Sequence, residues 1–134
     1  MIMKALFNEQ AETRGITVRV SASYLPEQSE PDRGRWFWTY HIRIENDGPI
    51  TVQLLTRHWV ITDGRGGKHI VEGEGVIGEQ PMIAPGGSFD YVSGCPLTTP
   101  TGHMQGSYQM VAEDGSAFDV AIPKFALLAP AVAG

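Results

Sequence analysis

The sequence predicts an all-β fold: an antiparallel β-sandwich of seven to eight strands, with a closed barrel as the rival arrangement. Three observations carry this. The 134 residues include 16 glycines and 9 prolines in a chain that is 42% hydrophobic. That is about 19% breakers against a usual ~12%, which in an apolar chain means many short strands rather than long helices or disorder. Apolar residues recur with a period of two, and no stretch sustains the 3.6 period of a helix. Turn signals fall about every ten residues, as in sandwiches. The length suits one domain. It divides into an N-terminal arm at 1–14, a single sandwich domain at 15–128 and a C-terminal tail at 129–134.

Each element has its own pattern. Residues 1–14 carry no clear period. Ile16, Val18, Val20, Ala22 and Tyr24 alternate with Thr17, Arg19, Ser21 and Ser23, a half-buried strand that stops at Leu25-Pro26. Trp36, Trp38, Tyr40, Ile42 and Ile44 share one face of the next strand, and Thr39, His41, Arg43 and Glu45 share its solvated face. Asn46-Asp47-Gly48-Pro49 ends that strand, because Asn, Asp and Gly tolerate positive φ and Pro cannot continue a ladder. Residues 50–62 form a third strand whose apolar phase slips near Leu54-Leu55, as one extra residue in a β-bulge would cause. A glycine-rich connection leads to a short strand at 69–71, and residues 72–87 read as irregular. Phe89 to Ser93 is another strand, and residues 96–102 read as a loop. Last comes a hairpin with Met104, Tyr108, Met110 and Ala112 on one arm, Asp114-Gly115 in the turn, and Phe118, Val120 and Ile122 on the other.

Charge and cysteine use exclude several classes. Ten basic and fifteen acidic residues give a net charge of −5, and no Lys/Arg-rich run exists, which argues against a nucleic-acid partner. One cysteine, Cys95, cannot form an internal disulfide. The apolar residues 125–134 are interrupted by Pro130 and fall short of the ~20 a membrane span needs. The N-terminal apolar run is too short for a signal-peptide core. The expectation is a cytoplasmic protein without a membrane partner.

Few constellations carry chemistry. Gly73-Glu74-Gly75-Val76-Ile77-Gly78 is a literal GxGxxG, but Pro81 and Pro85 leave no room for the helix a dinucleotide site requires. Glu72, Glu74 and Glu79 surround it with negative charge. The bland reading is a loop crossing one end of the sandwich; a backbone-amide nest for phosphate at Gly73, Gly75 and Gly78 is the weak alternative. The glutamates could form an acid–base pair, but so glycine-rich a loop would hold them loosely. His41, His58, His69 and His103 have no metal-ligand spacing, although a distributed site from His58, Asp63 and His69 across a hairpin is conceivable. Cys95 has no neighbouring base, so it is read as structural. In Arg57-His58-Trp59 the alternation turns Arg57 and Trp59 one way and His58 the other. The mild reading puts Trp59 in the core with Arg57 at its rim; the sharper one is an arginine–aromatic interaction surface for a partner protein.

Four blocks carry a family resemblance. Leu54 to Gly64 (Leu-Leu-Thr-Arg-His-Trp-Val-Ile-Thr-Asp-Gly), Gly73 to Pro81 followed by Ala84-Pro85-Gly86, Ser107 to Met110, and Tyr24 to Ser29 together resemble the ApaG family over about residues 15 to 125. The resemblance implies a small bacterial protein with an immunoglobulin/fibronectin type III-like sandwich. Related domains sit in an F-box protein and in a DNA polymerase delta-interacting protein, where protein–protein recognition is expected. The family is associated with cobalt resistance and magnesium efflux, and its GxGxxG stretch with pyrophosphate. The expectation is therefore a non-enzymatic interaction module with no cofactor and no metal, open to homo-oligomerisation through a sandwich edge. The alternative is a small-ligand protein binding pyrophosphate or nucleotide at Gly73–Gly78.

Overall fold

The alternating runs form long strands. The computed structural model describes residues 7–130. Its strands are β1 (Glu9–Thr13), β2 (Ile16–Tyr24), β3 (Trp36–Asn46), β4 (Val52–Asp63), β5 (Lys68–Glu74), β6 (Met82–Ile83), β7 (Ser88–Leu97), β8 (Thr101–Ala112) and β9 (Ala117–Leu128). All pairings are antiparallel. One sheet has the order β1-β2-β3-β7; the other runs β5-β4-β8-β9, with β6 beside β4 past the end of β5. This is the immunoglobulin/fibronectin type III-like sandwich, and the barrel is set aside.

The nine strands among the described residues exceed the seven to eight expected, and each difference has a physical reason. Part of the N-terminal arm pairs with β2 as β1, joined by an Arg14-Gly15 turn in which both residues have positive φ. Within residues 72–87 the backbone still pairs: β5 continues to Glu74, and Met82–Ile83 pair with Gln53 and Val52. The 96–102 loop shrinks to residues 98–100, because Pro96 sits on edge strand β7, whose outer side needs no donor. Pro123 is tolerated in edge strand β9 where the register with β8 slips between Met104 and Gly106.

The core lies between the sheets. Val18, Val20, Trp38, Ile42 and Ile44 face Leu54, Trp59, Met104, Tyr108, Met110, Val120 and Leu127. The β4 register shifts between Leu54 and Thr56, so Leu54 and Trp59 are both buried despite opposite parity. This bulge is the one the phase slip predicts, and it turns Arg57, Trp59 and Ile61 inward together. On one side β9 packs against β1 and β2, with the Ala121 amide donating to Thr13 Oγ1 at 3.1 Å. On the opposite side the edges of β5 and β7 have no further strand partner among the described residues and stand apart, leaving the sandwich open there.

Candidate functional site: an aromatic cleft at the open side

The gap between β5 and β7 is a cleft of about 820 Å³. Trp36, Tyr40, Trp59, Val71 and Leu97 line it, with Met104 and Cys95 at its floor. Phe37 reaches its lip because Gly94 has no side chain; a Cβ there would lie 2.4 Å from the ring. Tyr40 and Trp59 meet edge to face, with centroids 5.4 Å apart, and Trp59 packs at 84° against Phe125. A second lobe of about 360 Å³ continues towards Val76, Ile77 and Gly78, sharing Tyr40, Arg57, Trp59 and Ser93 with the first.

Arg57 stands at the waist between the lobes. Its Nη1 donates to the carbonyls of Glu74 (3.0 Å) and Gly75 (2.9 Å). The guanidinium lies against the backbone of Gly73, where a Cβ would come within 2.8–2.9 Å of it. Hydroxyls gather beside it. Tyr40 has Ser93 as a neighbour, and Tyr91 shares a buried hydrogen bond with Tyr108. Burial holds all three phenols above the ordinary tyrosine range, against a small opposing pull from Arg57 on Tyr40 and Tyr91. Burial likewise pushes the Cys95 thiol up to about 11, which leaves it protonated and unreactive at neutral pH. At the far end of the first lobe, Asp63 accepts the amides of Arg65 and Gly67 at 2.9 Å each. These bonds, with His69 Nε2 3.9 Å away, hold its carboxyl below the usual range.

The GxGxxG stretch is the end of β5 followed by a tight turn. Val76 and Glu79 exchange backbone hydrogen bonds at 2.8 and 2.9 Å, and Ile77 and Gly78 between them both have positive φ. The Gly75 amide donates to Leu55 O at 2.8 Å. The amides of Gly75, Val76 and Glu79 are thus committed within the protein, and no helix follows.

The other sequence candidates separate. Arg57 and Trp59 enter the cleft, while His58 turns to the opposite face, where its Nδ1 lies 2.8 Å from Glu72. The pleat therefore keeps His58 from joining Asp63 and His69, which both line the cleft. Among the described residues no group of three or more His, Cys, Asp or Glu side chains is placed to hold a metal ion. Glu74 and Glu79 are exposed. His41 shares Asp90 with Arg43 on the outer face of β3, where Phe7 packs on its ring at a centroid distance of 4.9 Å. His103 is partly buried, and burial with Lys124 and Lys68 nearby lowers its pKa. Sequence reasoning missed Trp36, Tyr40 and Ser93 as site residues. Alternation gives the inward face, but not which inward residues lie at the side where the sheets part.

The chain is thus an all-β, two-sheet sandwich with an aromatic cleft at its open side. The ApaG domain family matches residues 26–112. Protein ApaG of Afipia carboxidovorans is 59% identical over 121 residues, covering 90% of this chain and 93% of that protein. Protein ApaG of Caulobacter vibrioides is 52% identical over 124 residues, covering 92% and 89%. A crystal structure of a Bordetella pertussis protein assigned as ApaA superposes with a TM-score of 0.84 at 45% identity, covering 90% of this chain and 97% of that one. The chain belongs to the ApaG family. The C-terminal domain of Wzt, at 10% identity and a TM-score of 0.55, shares the fold alone. No helix among the described residues is long and apolar enough to cross a membrane.

Proposed function

We propose that the chain is a non-enzymatic binding module of the cytoplasm that recognises a partner protein through the inter-sheet cleft. The observation that carries this reading is the cleft: about 820 Å³, walled by aromatic side chains, with one arginine at its waist. Concave apolar sites with a few placed polar groups are where proteins bind ligands and partner side chains, and Trp, Tyr and Arg dominate binding energy in such sites. The net charge of −5 disfavours a nucleic acid as that partner. On this reading the family-level link to cobalt resistance and magnesium efflux runs through the partner rather than through a metal held by this chain. Phosphate binding at Gly73–Gly78 is the weaker reading, because the amides of Gly75, Val76 and Glu79 already donate to the carbonyls of Leu55, Glu79 and Val76.

The test is photo-crosslinking in living cells from positions 36 and 71 in the cleft and, as control, from the exposed position 109 on β8. A protein adduct common to 36 and 71 and missing from 109 is expected. Equal adducts from all three positions, or none from the cleft, would defeat the proposal.

A further inference from the structure

We propose that the cleft takes a carboxylate carried on an apolar body, the carboxylate seated on Arg57 and the body between Trp36, Trp59 and Val71. This rests on the reading that the cleft is the binding site, and it names the chemistry that site accepts.

The argument starts from unmatched charge. Arg57 is only partly exposed, and none of the ion pairs among the described residues uses it. Its hydrogen bonds there leave from Nη1 alone, so the donors on Nε and Nη2 remain. A partly desolvated cation without a counter-charge is costly, and an arriving anion relieves that cost. The other charges along the first lobe already have partners. Asp63 has two amides and His69; Glu30 lies 3.6 Å from Arg33 and 3.7 Å from Arg35. Among the described charges of the first lobe, Arg57 is the group left over.

The same geometry selects the kind of anion. One guanidinium held flat against Gly73 presents a planar fork that fits a carboxylate. Among the described residues no second unpaired cation stands at the waist to match a phosphate dianion, and Glu74 at the rim of the second lobe opposes extra negative charge. The Tyr40 and Ser93 hydroxyls add neutral donors beside the fork. An aromatic or branched aliphatic body then covers the walls. The chemistry is met by a small organic acid and equally by the C-terminal residue of a protein.

The experiment is a titration of the full chain with N-acetyl-phenylalanine and, in parallel, its neutral amide, following the three indole N–H resonances. Trp36 and Trp59 line the cleft, whereas the Trp38 indole N–H is held by Leu128 O at 3.1 Å and serves as internal control. The acid is expected to shift Trp36 and Trp59, leave Trp38 in place, and bind about tenfold or more tightly than the amide, the scale of a charge-assisted hydrogen bond. In Arg57→Gln that preference falls to about one. Gly73→Ala, which displaces the guanidinium while leaving Arg57 in the chain, gives the same loss and guards against a folding defect in the first variant. A five-residue peptide with a free C-terminus distinguishes the sources. Tighter binding with added shifts along β5 identifies a protein terminus, and affinity equal to the single residue identifies a small acid. Equal binding of acid and amide overturns the carboxylate while leaving the cleft as a binding site. Shifts outside the cleft, or none at millimolar acid, also overturn the inference, whereas the crosslinking result decides the broader reading separately.

Discussion

The three glycines of the GxGxxG stretch do three different jobs. At Gly73 a Cβ meets the guanidinium end of Arg57, a flexible tip that can move aside. At Gly75, with φ of 64°, it meets the Glu79 carbonyl oxygen at 2.3 Å, and backbone cannot yield cheaply. At Gly78 the space is open and only the φ of 80° opposes a side chain. Denaturant midpoints of the alanine variants are therefore expected to rank them. Gly73→Ala should change stability by under about 1 kcal/mol, Gly78→Ala should lose about 1 kcal/mol for the left-handed backbone, and Gly75→Ala should lose the most, about 3 kcal/mol or more. Equal losses at 73 and 75 would remove the special link between Gly73 and Arg57. Ile77 supplies the converse case: a β-branched residue at φ of 44°, 56% exposed. Ile77→Gly is expected to gain about 1 kcal/mol in the same measurement, because little packing is lost and the backbone strain goes. A β-branched residue held there against its preference, at the rim of the second lobe, also makes a point to probe for partner contact.

At the scale of the element, the β4 bulge connects sequence to site. Leu55 is the extra residue, and its carbonyl accepts both the Gly75 amide (2.8 Å) and Gln80 Nε2 (2.9 Å). One residue thus sets the inward phase of Arg57 and Trp59 and also ties down the turn that follows β5. Deleting Leu55 forces a choice: keep Val52 and Leu54 inside and expel Trp59, or the reverse. The deletion is expected to abolish the dispersed amide spectrum and near-ultraviolet dichroism of the folded protein. Gln80→Ala, which removes one bond to the same carbonyl, should cost only about 1 kcal/mol. A deletion variant that stays folded would show the bulge to be dispensable. This element also marks how far the sequence could be read. The slip at Leu54-Leu55 was visible because hydrophobic phase is local, and so was the inward turn of Arg57 and Trp59. The continuation of β5 to Glu74 and the pairing of β6 were not visible: polar and glycine-rich segments carry no phase, and their strand character comes from pairing with β4. The cleft was hidden for a related reason. Trp36 and Tyr40 look like core residues in any alternating pattern, and only the order of strands in each sheet decides which inward side chains lie at the open side.

Over the whole molecule, the space between the sheets holds acidic groups that must stay protonated. Cys95, Tyr40, Tyr91 and Tyr108 are all buried, and burial raises each of them. A group whose pKa is raised on folding contributes nothing to the pH dependence while both states are protonated. Its effect appears once the unfolded chain begins to lose the proton. For Cys95 that begins near its ordinary value of 9.0 and is complete near the folded value of about 11. Across this window unfolding gains on the order of 2–3 kcal/mol from one thiol. The tyrosines extend the loss upward from their ordinary 10.0. Stability is therefore expected to be insensitive to these four groups below pH 9 and to fall steeply between pH 9 and 11. Urea midpoints at pH 7, 9, 10 and 11 measure the fall in the parent chain and in Cys95→Ala. The variant loses some packing at every pH, but its decline should begin about one unit later, because the first group to titrate in the unfolded chain is gone. Parallel curves for the two proteins would mean that solvent reaches Cys95 at the cleft floor, so that the space between the sheets opens far more readily than its packing implies.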